Sequence, residues 1–348
     1  MSSHQQVRNT LIKRRKLILG IGCSALLAGA GIYTYTQTIP NSKRIIEDFP
    51  LQSIRIAWPK NEEDSLLTIA QEKDFFKKYG LNVILVPYIA TSSQALESLK
   101  QRHCDAAVSS ALDWLPNLLT GMPAKLLIGI SGGNFRLLVS RKQRIDRLAD
   151  FSGLKIATRP NAQKERLFFS ILLRRKGLNP DQNVKWIEME PEELLPALLS
   201  NQVQGIIGND PFMWEILNNA NKQVFELAGS QSGSWSTRIN RILGISNDFL
   251  SQNPTIVKPL ALSLYEASQW QNKHLQQTSV LLADHSKQMN ASQILSMLKN
   301  QNQNIIPINN KLWEQVAQYI DEFKLLGRIS NNVKSSREAR QFCLNVPI

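Results

Sequence analysis

From residue 54 onward, short apolar runs alternate with longer stretches in which apolar side chains return every three or four positions. IRIAW at 54–58, NVILVPY at 82–88 and CDAAVSS at 104–110 have the length and content of half-buried or buried strands. Between them, LLTIAQEKDFFKKYG at 66–80 and SSQALESLKQRH at 92–103 carry helical stripes. The same order returns from residue 154 as LKIATR, NAQKERLFFSILLRRKG, NVKWIEME, PEELLPALLSNQ and QGIIGN. Two such units predict an α/β protein of two similar lobes, with a cleft between them as the place of function.

The boundaries follow from local chemistry. Asp64 suits an N-cap for a first helix through Leu66, Ile69, Ala70, Phe75 and Phe76, ended by Gly80. Thr91 with Gln94 predicts a capping box, Asn161 a cap for the long helix ending at Gly177, and Pro191 a first-turn position. Gly129–Gly133 and Gly229–Trp235 read as irregular Gly/Ser-rich stretches, each beside a strand (Phe135–Ser140, Arg241–Ser246), and suggest two hinge crossings. The tail predicts helices over 254–270, 291–298 and 312–326 that pack back on the first lobe. The resulting division is 51–135 for the first part of lobe one, 136–240 for lobe two and 241–348 for the return to lobe one.

Composition changes the picture mainly at the N-terminus. Of the formal charge of +13, residues 1–44 carry seven positive charges and no acid, so the remainder is only modestly basic. Lys13-Arg14-Arg15-Lys16 precedes the apolar run from Leu17, and Ala28-Gly29-Ala30 offers a cleavage site, so residues 1–35 read as an export signal and 36–50 as a linker. The arginine pair followed by Lys16, Leu17 and Ile18 is similar to a Tat signature, with Lys13 in place of the usual Ser or Thr, which leaves Sec export open. A retained membrane anchor through Tyr35 is the alternative, and a lipid-bearing Cys23 is disfavoured by Gly20 upstream. The expected location is the periplasm or the outer face of the cytoplasmic membrane. Cys104 and Cys343 would remain after cleavage, either as a pair or as buried free thiols.

Several blocks, taken together in order and spacing, resemble the substrate-binding proteins of ABC importers in the nitrate, taurine, alkanesulfonate and bicarbonate group. They are Ile54–Trp58, FFKKYGLNVILV at 75–86, SSQALESLKQRHCDAAVSS at 92–110, LADFSGLKIATRP at 148–160, GIIGNDPF at 205–212, SNDFLSQNPTIVKPL at 246–260 and LLGRI at 325–329. The resemblance implies the two-lobed periplasmic binding protein fold of type II, a monomer that captures a small anionic or zwitterionic solute and hands it to a permease and its ATPase. The chain lacks the extra length of many nitrate and bicarbonate binders of the group, which favours an organic sulfonate-like ligand. Members often carry Gly-Ser after the lobe-two strand; this chain has Arg159-Pro160-Asn161-Ala162-Gln163.

The chemistry of such a cleft is independent of the resemblance. Helix N-termini at the carboxyl ends of strands offer free N–H groups and partial positive charge, which suit an anion. Ser92 and Ser93, Ser109 and Ser110, and Asn161 and Gln163 stand at three such ends. Arg159 adds a charged fork or serves a surface ion pair, and Trp58 walls the ligand or simply fills core. Asp210 would receive an ammonium or cap a turn. Gly129–Gly133 matches Gly-x-Ser-x-Gly, but the strand-like FRLLVS follows it where a nucleophile elbow needs a helix. His103, His274 and His285 have no metal-ligand spacing, no cofactor fingerprint is present, and no motif supports nucleic-acid binding. The expected class is therefore a binding protein without enzymatic activity. A membrane-anchored sensor, or a pyrimidine- or menaquinone-type biosynthetic enzyme on the same scaffold, is the alternative.

Overall fold

The computed structural model describes residues 51–59, 65–87, 89, 91–286, 289–302 and 306–346. The export signal, the linker and the Asp64 cap lie outside the described residues. The chain runs β1 (Gln52–Ala57), α1 (Ser65–Glu72), α2 (Phe75–Lys78), β2 (Leu81–Leu85), α3 (Ser92–Lys100), β3 (Ala106–Ser110), α4 (Ala111–Leu119) and β4 (Ala124–Gly132). It continues as β5 (Phe135–Ser140), β6 (Lys155–Thr158), α5 (Gln163–Arg175), β7 (Lys185–Glu188), α6 (Pro191–Leu199), β8 (Gly205–Asn209), α7 (Phe212–Asn219) and β9 (Val224–Gly229). After β10 (Ile239–Ser246) come α8 (Asn247–Gln252), α9 (Val257–Lys273), α10 (Leu275–His285), α11 (Ala291–Lys299), α12 (Asn309–Leu325) and α13 (Ser335–Phe342).

The strands form two five-stranded sheets, ordered β2-β1-β3-β10-β4 and β7-β6-β8-β5-β9. In each, four strands run in one direction and a strand delivered by a crossing lies antiparallel to them in fourth place: β10 between β3 and β4, β5 between β8 and β9. The repeated order in the sequence is thus a repeated topology, with each lobe's fourth-place strand supplied by a crossing from the other.

The two crossings meet. Only Gly133 and Asn134 separate β4 from β5, and the second crossing enters at Ser230, whose Oγ accepts from the Phe135 N–H at 2.9 Å while its own N–H donates to the Phe135 carbonyl at 3.0 Å. A Cβ on Gly133 would stand 2.5 Å from the Ser230 Cβ, so glycine is demanded here by proximity. The stretch read as irregular from Gly129 belongs to β4 through Gly132, with its pairing to β10 shifted in register around Ser131, and Gly129 fits under Ile239 and Pro307, where a Cβ would lie 2.5 Å from side chains of both.

Other local expectations resolve in the same manner. Thr91 and Gln94 form the capping box, and Gly80 and Gly177 end their helices at positive φ. The first helix breaks at Asp74, which adopts the left-handed conformation and divides it into α1 and α2. Asn161 does not cap α5: its φ is 62°, and the N-cap position falls on Ala162. Cys104 and Cys343 are free thiols.

A buried core runs from α4 and β4 through α12 to α5 and the second sheet. At its centre Phe168 of α5 stands edge-on to Trp235 of the second crossing at 4.9 Å, and Trp235 to Tyr319 of α12 at 5.8 Å. Tyr319 donates its hydroxyl to the Ile239 carbonyl at 2.7 Å. Beside them Glu322, 2% exposed, accepts from Arg175 of α5 and from Arg238 of the crossing. The tail returns to the first sheet through α9, α12 and α13, and Leu344 donates to the Leu126 carbonyl at 2.8 Å on the outer edge of β4. It also reaches the second lobe, where α11 packs on Trp214 of α7.

Gly133→Ala is expected to destabilise the protein by about 1–3 kcal/mol, because the crossing must shift to admit one methyl group. Urea unfolding of the two proteins checks it; equal midpoints would mean that the crossings yield freely.

Candidate functional site

Where the sheets approach each other the structure holds a cavity of about 300 Å³. Its floor comes from the ends of first-sheet strands: Trp58 after β1, Ile130 to Gly132 at the end of β4, and Arg241 on β10. The crossings contribute Asn134 and Gln231, and the second sheet contributes Asp210 after β8. Leu66 of α1 and Met297 and Leu298 of α11 give it an apolar side.

Trp58 is 8% exposed, and its indole Nε1 has no hydrogen-bond partner, although a buried indole N–H ordinarily finds one. Asp210 is 1% exposed and grips Arg136 with both oxygens, at 2.6 Å to Nε and 2.8 Å to Nη2. It also accepts from Gln301 at 3.2 Å. Burial opposes the Arg136 charge, but Asp210 and then Glu226 outweigh it and hold that guanidinium above its ordinary value. The negative charge of Asp210 is therefore answered inside the protein. Burial draws the Arg241 pKa down to about 9, which still leaves it mostly cationic at neutral pH.

Arg241 donates from Nη1 to the Ser92 Oγ at 2.5 Å, which joins the cavity to a deeper polar layer. Ser109 Oγ donates to the Ser92 carbonyl at 3.2 Å, and Ser110 caps α4 while donating to Asn240 Oδ1 at 2.7 Å. Lys164 of α5 reaches Ser92 Oγ at 3.4 Å, from one lobe to the other. The sequence-derived candidates thus divide. Trp58 and Asp210 line the cavity; Ser92, Ser109 and Ser110 lie in the layer joined to it through Arg241. Ser93, Asn161 and Gln163 are exposed, and Arg159 pairs with Asn209 Oδ1 at 2.6 Å over the Phe212 ring. None of these last four is among the cavity-lining residues.

With the cleft and its lining described, similarity to known proteins can be placed on it. The NMT1-like family model matches residues 47–283. The chain belongs to the NMT1-like family. Among relatives of this NMT1-like protein, the nitrate/nitrite binding protein NrtA of Nostoc sp. is 24% identical over 228 residues, covering 60% of this chain and 51% of the relative. A putative thiamine biosynthesis protein of Haemophilus influenzae is 28% identical over 165 residues, 45% of this chain and 49% of the relative. The chain thus spans about half the length of these curated relatives. The crystal structure of the periplasmic aliphatic sulphonate binding protein SsuA from Escherichia coli superimposes with a TM-score of 0.68 at 18% identity, covering 84% of this chain and 97% of that one. That likeness shows the periplasmic binding protein fold.

Sequence reasoning passed over Arg241 in this NMT1-like protein, although an arginine opening the otherwise apolar RILGIS strand was a usable signal. Gln301 and Met297 gave none, since only the tertiary fold carries α11 to the cavity.

Asp113, in the first turn of α4, is pushed from 3.8 to about 6 by burial; the Lys164 charge opposes the rise, and Glu165 adds to it. Its Oδ2 has no hydrogen-bond partner. The folded protein holds this proton more tightly than the unfolded chain, so the contribution is present below about pH 4 and lost as pH rises through about 6. Asp113→Asn is expected to raise stability at pH 7 by up to roughly 3 kcal/mol and to flatten the pH 4–6 slope. Urea melts at pH 4.5 and 7 measure both, and parallel wild-type and variant pH profiles would sink the assignment.

Proposed function

We propose that this protein is an extracytoplasmic solute-binding component of an ABC importer, holding a small organic anion in the cleft between its lobes and delivering it to a membrane permease. The observation that carries the reading is Arg241: a buried guanidinium lining a cavity that Leu66, Ile130, Met297 and Leu298 also line. An anionic head placed against it would regain the electrostatic stabilisation that burial removes, and the planar fork suits a sulfonate or carboxylate. Asn134 and Gln231 would orient the head, and Trp58, Leu66 and Met297 would hold the body. A volume of about 300 Å³ with that apolar side fits an organic solute better than bare nitrate or bicarbonate.

The names of the relatives support the solute class: nitrate/nitrite binding and bicarbonate transport among sequences, aliphatic sulphonate binding among structures. The leader supports export, by Tat or Sec, and a monomer docking on permease and ATPase accords with the importer reading. Ser92, Ser109 and Ser110 serve as support beneath Arg241, and Asp210 as a neutralised wall. A second reading, an enzyme of cofactor biosynthesis, is favoured by the Haemophilus influenzae relative; it predicts turnover of the bound compound, where a binding protein returns it unchanged.

A thermal-shift panel on the full chain with alkanesulfonates, aromatic acids, taurine, nitrate and bicarbonate tests this. A ligand at a hundred times its Kd should stabilise the protein by about 2.7 kcal/mol. The gain should vanish in Arg241→Gln and persist in Arg159→Ala. The reverse pattern would move the anion to the start of α5.

A further inference from the structure

One wall of the cavity comes from a part of the chain that the family match does not reach. Met297 and Leu298 of α11, and Gln301 just beyond it, lie past residue 283, where the matched residues end. The first-sheet floor and the crossings lie within the match.

The α10–α11 hairpin also spans the cleft. On one side α10 packs against α1, with His285 Nε2 3.5 Å from Glu72 Oε1. On the other, Ile294, Met297 and Leu298 of α11 gather with Trp214 of α7 in a small cluster separate from the three larger cores. Beyond α11, Gln301 donates to Asp210, the Asn302 N–H donates to Gln231 Oε1 at 3.1 Å, and the Asn302 side chain donates to the Ser236 carbonyl at 2.9 Å.

Among the described residues, two of the packed seams between the lobes are unequal. At α12 the lobes share one continuous core with three interlocked aromatic rings and the Glu322 ion cluster. At α11 the described residues share a small apolar cluster around Trp214 and hydrogen bonds from Gln301 and Asn302. Local opening follows the seam with the fewest buried apolar contacts. We infer that the α10–α11 hairpin is the gate of this cavity, released at the Trp214 seam, and that Met297 and Leu298 set the length of apolar body it admits. The selectivity half rests on the solute-binding reading above; the gate does not.

Hydrogen exchange of the ligand-free full chain, read by mass spectrometry, tests the gate without a ligand. Amides of α11 should exchange at least tenfold faster than those of α12, and Trp214→Ala should speed them by a further tenfold or more while α12 and α5 stay unchanged. Gln301→Ala, a milder change away from the cluster, should act in the same direction. A common rate for α11 and α12, or acceleration of both together, overturns the gate. For selectivity the probes are alkanesulfonates of two to eight carbons. Met297→Ala and Leu298→Ala should move the longest stabilising chain upward by at least one carbon, and an unchanged length profile overturns that half. A wild type indifferent to the whole series sinks the anion reading and the selectivity with it, while the exchange rates still decide the gate.

Discussion

The close passage of two chain segments at Gly133 and Ser230 is the constraint on which the molecule depends. Each sheet takes its fourth-place strand from the opposite lobe, so the chain must cross twice, and the reciprocal bonds between Phe135 and Ser230 hold both crossings within one residue's width. The parallel strands of both sheets then end near one another, and the cavity lies at that meeting.

Around this crossing the protein buries charge in two different ways. Arg136 with Asp210, and Glu322 with Arg175 and Arg238, are internally matched, and such pairs serve chiefly to fix position, since desolvation offsets most of their attraction. Arg241 and Asp113 instead bear the mark of burial in their ionisation, one drawn down to about 9 and the other raised to about 6. Matched groups hold the scaffold. Arg241 and Asp113 are the groups at which a solute or a change of conformation would be felt.

Much of the fold was legible because its signals are local. Periodicity placed the repeated strands and helices, Thr91 and Gln94 announced a helix start, and Gly80 and Gly177 announced helix ends. The failures arise where tertiary structure overrode a local preference. Asn161 has the chemistry of a cap but takes a left-handed conformation that moves the helix start to Ala162. The glycines from 129 read as one irregular stretch, yet Gly129 packs within β4 and only Gly133 lies in the crossing itself. At the site, Trp58 and Asp210 were legible as strand-end residues, whereas α11 reaches the cavity only through the tertiary fold, and no periodicity records that.

The second sheet is drawn entirely from residues 135 to 229, a single unbroken run, whereas the first must await β10 for its fourth strand and Leu344 to cover the outer edge of β4. A chain emerging from its N-terminus can therefore complete its second lobe while the first still presents an unfilled place between β3 and β4. The sheet whose strands begin first along the chain is thus the one whose last strand comes last.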